Sequence, residues 1–215
     1  MKKLLLSLLV VSATLASLSS CQDSSKIPAP DVTSVPLIFA KASPDPSKNS
    51  FDFLRARASI NELPSLANPT RPVFEFTIDI PDQRDVKIRE VEVYKSFLRG
   101  TRLGPRAFVG AYNTFPATVS LNSQTALTGL QQLVFTSNAS LPSLSSLVGA
   151  TPTARNPIFN GDIIVFTFEY VLQDGSRVIL TPLTDVRLDD GSVAKVISGT
   201  QINPPYALYA KFQAL

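Results

Sequence analysis

The sequence predicts an all-β protein, an antiparallel β-sandwich with one short helix. Three observations predict it. In Val73 to Ile80, Phe74, Phe76, Ile78 and Ile80 fall on one face and Val73, Glu75, Thr77 and Asp79 on the other. Strict alternation of this kind describes a strand with one face in the core and one in water. Asp162 to Leu172, DIIVFTFEYVL, is apolar on both faces, as a central strand requires. About eight such segments follow one another with turn signals between them, the spacing of a sandwich.

The chain opens with a segment of another kind. Lys2 and Lys3 precede an apolar run from Leu4 to Leu18. That run is short for a membrane-spanning helix and right for an export signal. Leu18-Ser19-Ser20-Cys21 resembles the lipobox of bacterial lipoproteins: an aliphatic residue, two small residues, then cysteine. The resemblance implies cleavage before Cys21, a diacylglycerol on its thiol and a further acyl chain on the new amino group. One chain binds a bilayer marginally, whereas two or more hold stably. Cys21 is the only cysteine, so no disulfide forms within the chain and burial alone must hold the core. Gln22 follows it, in place of the aspartate that retains enteric lipoproteins in the inner membrane. The expected location is therefore the outer membrane, with the partner membrane engaged through the lipid.

The remaining elements follow in order. Residues 1–20 read as signal peptide, 21–50 as a tether with a candidate edge strand, and 51–215 as the sandwich domain. The tether QDSSKIPAPD is polar and carries two prolines. Val32 to Ala40 suits an edge strand, because Pro36 is tolerated only there. FDFLRARASI at 51–60 reads as another strand, and 61–72 as loop. Val86 to Phe97 reads as the hairpin partner of Val73–Ile80, closed by PDQRD, with a bulge near Arg89-Glu90 where the apolar parity shifts. The stretch 98–110 reads as a long glycine-bearing loop, and Phe108 to Val119 as a returning strand. Ser123 to Val134 reads as the short helix, with Ser123 as N-cap and Gly129 weakening it. Asp174-Gly175 and Asp190-Gly191 mark hairpin turns. Tyr206 to Leu215 alternates again and closes the sheet.

Composition narrows the chemistry. The chain has 215 residues, with 20 basic and 17 acidic side chains. Loss of Lys2 and Lys3 leaves 18 against 17, a net charge of +1 that argues for no nucleic-acid partner. There is no histidine, which removes Ser-His-Asp and Cys-His arrangements and imidazole metal sites. With Cys21 acylated, thiolate chemistry is gone as well. The expectation is a protein that is not an enzyme and holds no cofactor.

VEVYKSF, RGTRLGPRAFVGAYNTFPATVSL and NGDIIVFTFEYVLQDGSRV resemble small Bacteroidota-type surface lipoproteins with an immunoglobulin-like domain. The resemblance covers roughly residues 70 to 215. It implies an immunoglobulin-like sandwich and a surface binding or accessory role beside an outer-membrane uptake system. It carries no catalytic residues.

From Val93 to Gly161 there is no Asp or Glu, and the charges are Lys95, Arg99, Arg102, Arg106 and Arg155. Three arginines in one loop suit anionic groups such as lipid phosphates, acidic glycans or a carboxylate-rich partner. The same arginines also suit a solvated loop that pairs with Glu90 and Glu92. Asp79, Asp82 and Asp85 cluster at one turn and Asp185, Asp189 and Asp190 at another, but neither has a calcium-loop pattern and aspartate is ordinary at turns. Ser192-Val193-Ala194-Lys195 matches the S-x-x-K of penicillin-recognising enzymes without its companion motifs. Tyr94, Tyr112, Tyr206 and Tyr209 are candidates for stacking on sugars or for packing. The expectation is a non-catalytic surface lipoprotein that binds an outer-membrane protein or anionic glycan. The alternative is a structural or adhesive, pilin-like subunit, cut after Arg55 or Arg57.

Overall fold

A computed structural model describes residues 35–59, 71–81, 86–136, 140–147, 158–198 and 205–215, with backbone alone at 57–59. The expected signal, Cys21 and the polar tether lie outside the described residues. A compact unit runs from Val35 to Leu215.

The described residues are mostly β, with several antiparallel sheets and two short helices. One sheet has three strands, in the order β1 (Phe39–Ala42), β3 (Val73–Asp79), β7 (Ala117–Asn122). The largest has seven. Its spine pairs β4 (Ile88–Arg99) with β10 (Ile163–Leu172). Beyond β10 lie β14 (Ala207–Gln213), β11 (Arg177–Ile179) and, in a short parallel pairing with β14, β2 (Phe51–Asp52). Beyond β4 lie β5 (Arg102–Leu103) and β6 (Ala107–Tyr112). Two separate hairpins are β8 (Gln131–Val134) with β9 (Ser143–Ser146), and β12 (Leu183–Arg187) with β13 (Val193–Ile197).

The alternation in β3 does what it predicts, burying Phe74, Phe76 and Ile78 completely. These rings meet the large sheet: Phe74 stacks on Phe166 at 5.7 Å, and Phe76 contacts Phe166 at 4.9 Å and Phe168 at 6.4 Å. Phe51 continues the series onto Phe212 at 4.9 Å. Without a disulfide, the two sheets are joined by apolar packing, of which this aromatic seam is a part. β10 is buried at every position from Ile164 to Val171. Its second face, through Val165, meets a smaller cluster with Leu188, Ala194, Val196 and Ile197 of the β12–β13 hairpin region.

Several expectations need correction. β3 and β4 are not a hairpin. They belong to different sheets: the apolar face of β3 is filled by rings of β10, and β4 pairs with β10 in the large sheet. Residues 51–60 are not one strand: after β2 the chain turns into helix α1 (Phe53–Ser59). Asp52 drives the switch, since its Oδ1 accepts from the backbone N–H of Leu54 (2.9 Å) and Arg55 (3.1 Å). The described residues therefore hold two helices, where the sequence predicts one. The second, α2 (Ser123–Leu127), is shorter than its expected span, ending before Gly129 (φ +77°) and giving way to β8. Its cap is Asn122, one residue before the expected Ser123, and the Asn122 side chain accepts from Thr125 N.

Other readings match. Opposite Val171 and Leu172 stand Glu90 and Ile88, so Arg89 is the extra residue of the expected bulge. Gly175 and Gly191 take φ near +85°, as the Asp-Gly turns require.

Candidate functional site

The expected arginine loop is a strand reversal. β4 turns through Gly100 (φ +59°) and Thr101 in a two-residue hairpin, pairing Arg99 with Arg102 and Leu98 with Leu103. The chain then runs back along β4 as β5 and β6, interrupted at Gly104–Arg106. A second irregularity skips Val109 opposite Val93 and Tyr94. At Gly104 the backbone N–H donates to Phe97 O at 2.8 Å. A Cβ there would overlap the carbonyl oxygen of Gln131 in β8. Glycine is thus what allows β8 to lie against the return strand.

That geometry separates the three arginines. Arg99 forks onto Asp162 (Nε–Oδ1 2.9 Å, Nη2–Oδ2 2.6 Å) and donates to Gln132 Oε1 at 2.9 Å. Its guanidinium also lies 4.6 Å from the ring centre of Phe159. Asp162 is 3% exposed and accepts the Phe159 N–H as well. Arg99 therefore ties the end of β4 to the start of β10, and bidentate pairing of this kind fixes geometry as much as it adds energy.

Arg106 lies on a different surface, where β4 and β10 carry a polar patch. It pairs with Glu169, which is 2% exposed, and sits 4.1 Å over the ring of Tyr94. Arg177 forks onto Glu92 at 2.6 and 2.7 Å and reaches Glu169 at 3.2 Å. Tyr94 donates to Glu92 Oε2 at 2.6 Å. Hydrogen bonds from Arg177 hold the Glu92 carboxyl below its ordinary pKa, and they raise that of Arg177. Burial, then the bond to Glu92, pushes the Tyr94 phenol up. Two carboxylates against two guanidiniums leave the patch balanced, which suits a structural lock.

Arg102 is the remaining one. It is exposed, and its guanidinium lies 5.1 Å from the ring centre of Phe135, itself 47% exposed. Among the described residues no carboxylate pairs with it. Arg99, Gly100, Arg102, Gln132, Leu133 and Val134 surround a depression of about 310 Å³. The candidate site is this rim: one unpaired guanidinium on an aromatic ring, a neighbouring one already engaged, and an amide beside it.

The sequence reading places the arginines' partners at Glu90 and Glu92. The partners are instead Asp162 and Glu169, each 63 residues away in the chain. Glu90 pairs with Arg89 and Glu92 with Arg177. In the S-x-x-K stretch, the Ser192 hydroxyl donates to Asp190 at 2.6 Å and Lys195 pairs with Asp185 at 2.9 Å, so each has a separate turn or surface partner. Asp82 and Asp85 lie outside the described residues, and among the described residues no three metal-ligating side chains gather. Of the tyrosines, Tyr94, Tyr112 and Tyr209 are partly buried in packing, while Tyr206 is exposed. Among the described residues no helix is long and apolar enough to cross a membrane.

The sequence reading also passes over Lys95 as a site. Its signal was present: a lysine between Val93 and Phe97 on the inward phase of a strand.

No protein-family model, curated protein or solved structure matches the chain. What fold and site define is a mostly β domain with a charge-balanced lock on one surface and a cationic, aromatic rim at a strand turn.

Proposed function

We propose that the protein is a non-catalytic surface lipoprotein of the outer membrane. In this reading an immunoglobulin-like β-sandwich, tethered through acyl chains on Cys21, binds an outer-membrane protein or an anionic glycan. The observation that carries the binding role is Arg102, exposed over exposed Phe135 with no acidic partner among the described residues. A guanidinium left free in a stretch without acidic residues is suited to a carboxylate, sulfate or phosphate group from outside. The faces of Phe135 and Phe159, half exposed beside the two arginines, add apolar contact for a sugar ring or side chain. The two packed sheets support the sandwich reading, and the lipobox supports the tether.

A pilin-like subunit cut after Arg55 or Arg57 is the weaker reading. Ile38 and Phe51 are fully buried, and Pro36 O accepts from the Tyr170 hydroxyl at 2.7 Å. Cleavage there would withdraw all three from the core.

The experiment compares the native chain with Arg102→Glu for capture of partners from outer-membrane extracts. Loss of a partner by Arg102→Glu, with Arg187→Glu as a surface-charge control that retains it, supports the reading. Equal capture by all three chains removes the role of this rim.

A further inference from the structure

Lys95 is 5% exposed, at the inward phase of β4, where it stands opposite Phe166 of β10 and Ala107 of β6. Its Nζ donates to Thr125 O at 2.6 Å, near the end of α2. An ammonium carries three N–H groups, and the other two have no acceptor among the described residues. No carboxylate pairs with it there either. Burial has pulled its pKa down to about 8, the response of a cation removed from water without a counter-charge.

Lys95 lines a cavity of about 440 Å³ between β6, β7 and α2. Val109 and Leu121 form an apolar wall, and Phe108 lies beside it. Gln124, Thr125 and Thr128 form the polar side. The hydroxyls of Thr125 and Thr128 are committed to Asn122 Oδ1 and Gln124 O. The Gln124 side-chain amide makes no hydrogen bond among the described residues. The site therefore offers two ammonium N–H groups and one amide without a partner among the described residues, in a cavity with an apolar wall and a volume at the lower end of the range of small-molecule pockets.

We propose that this cavity binds a small monocarboxylic acid with an apolar body, its carboxylate accepting hydrogen bonds from Lys95 and Gln124. A single cation suits a monoanion; a phosphate ester would bring more charge than one lysine balances. The alternative for Lys95 is to serve α2 alone, as a donor to an otherwise unfilled carbonyl at the helix end. That role requires one N–H and no cavity.

The test uses the full chain and hexanoate, with hexan-1-ol as the neutral analogue, followed by calorimetry and by the NMR signal of the Lys95 side chain. Saturable hexanoate binding is expected, at least tenfold tighter than hexan-1-ol, with the titration midpoint of Lys95 moving upward in the complex. Lys95→Met is expected to weaken hexanoate at least tenfold. If that variant does not fold, Thr128→Tyr, which narrows the exposed mouth without touching the amine, must show the same loss. Absence of saturable binding, equal affinity for acid and alcohol, or unchanged binding in the folded Lys95→Met or Thr128→Tyr chain overturns the proposal. The outcome is independent of the Arg102 rim, which lies at the strand reversal beyond the end of β4.

Discussion

Lys95 and Glu169 are both charged and almost fully buried, and they meet opposite fates. Glu169 receives Arg106 and Arg177, whereas Lys95 has one backbone carbonyl. The pH dependence that follows from Lys95 has a definite sign. Its folded pKa, about 8, lies below the unfolded value of ~10.4. Between these values the unfolded state binds the proton that the folded state has lost, so folding stability rises with pH across this window. The lining of its cavity contributes no other titratable side chain. Native protein is expected to gain on the order of 1–3 kcal/mol between pH 7 and 10 relative to Lys95→Met. Urea unfolding of both chains across that range measures the difference, and parallel profiles would refute it. For Glu169 the expectation is loss of stability. Arg106→Met leaves a buried carboxylate with the 3.2 Å contact from Arg177, and should cost about 3 kcal/mol. Restoring much of that loss with Glu169→Gln in the same chain would show that the cost is the stranded charge.

The strand reversal at Gly100 and the return along β4 decide which arginines meet which acids. Gly104 is the tight point, because any side chain there meets the backbone of β8. Gly104→Ala is expected to cost roughly 1–3 kcal/mol and to weaken any partner that needs the Arg102 rim, since β8 forms its far side. Gly100→Ala meets no atoms within 4 Å and has only its positive φ to accommodate, so roughly 1–2 kcal/mol is expected. Thermal unfolding midpoints of the two variants give the order; a costlier Gly100→Ala would contradict the close-approach argument. Local turn chemistry was legible at this scale. Asp174-Gly175-Ser176 and Asp190-Gly191-Ser192 repeat one device, an aspartate that accepts from the N–H and hydroxyl two residues on. The 51–60 stretch was less legible, because Asp52 caps a helix where the surrounding apolar residues suggest a strand.

For the whole molecule, the decisive test of the proposed tether is Cys21→Ser. The native chain expressed in a lipoprotein-processing host is expected to enter the detergent phase and to take up labelled fatty acid, and the variant to do neither. An unlabelled native chain would remove the anchor from the proposal. Removing residues 35–42 is expected to destabilise the domain strongly, as judged by unfolding, because it takes away buried Ile38 and the pairing of β1 with β3. What the sequence determined by itself was local: where strands alternate, where Asp-Gly turns fall, that a ladder breaks near Arg89-Glu90, and that a chain with one cysteine has no internal disulfide to staple its core. These follow from one residue's neighbours in the chain. Tertiary structure alone decided that β3 and β4 belong to different sheets, that Arg99 and Arg106 are taken by Asp162 and Glu169, and that Lys95 meets no acid among the described residues. Such pairings depend on which strands lie side by side, and a strand's pattern of apolar residues specifies a buried face without naming the strand that will cover it.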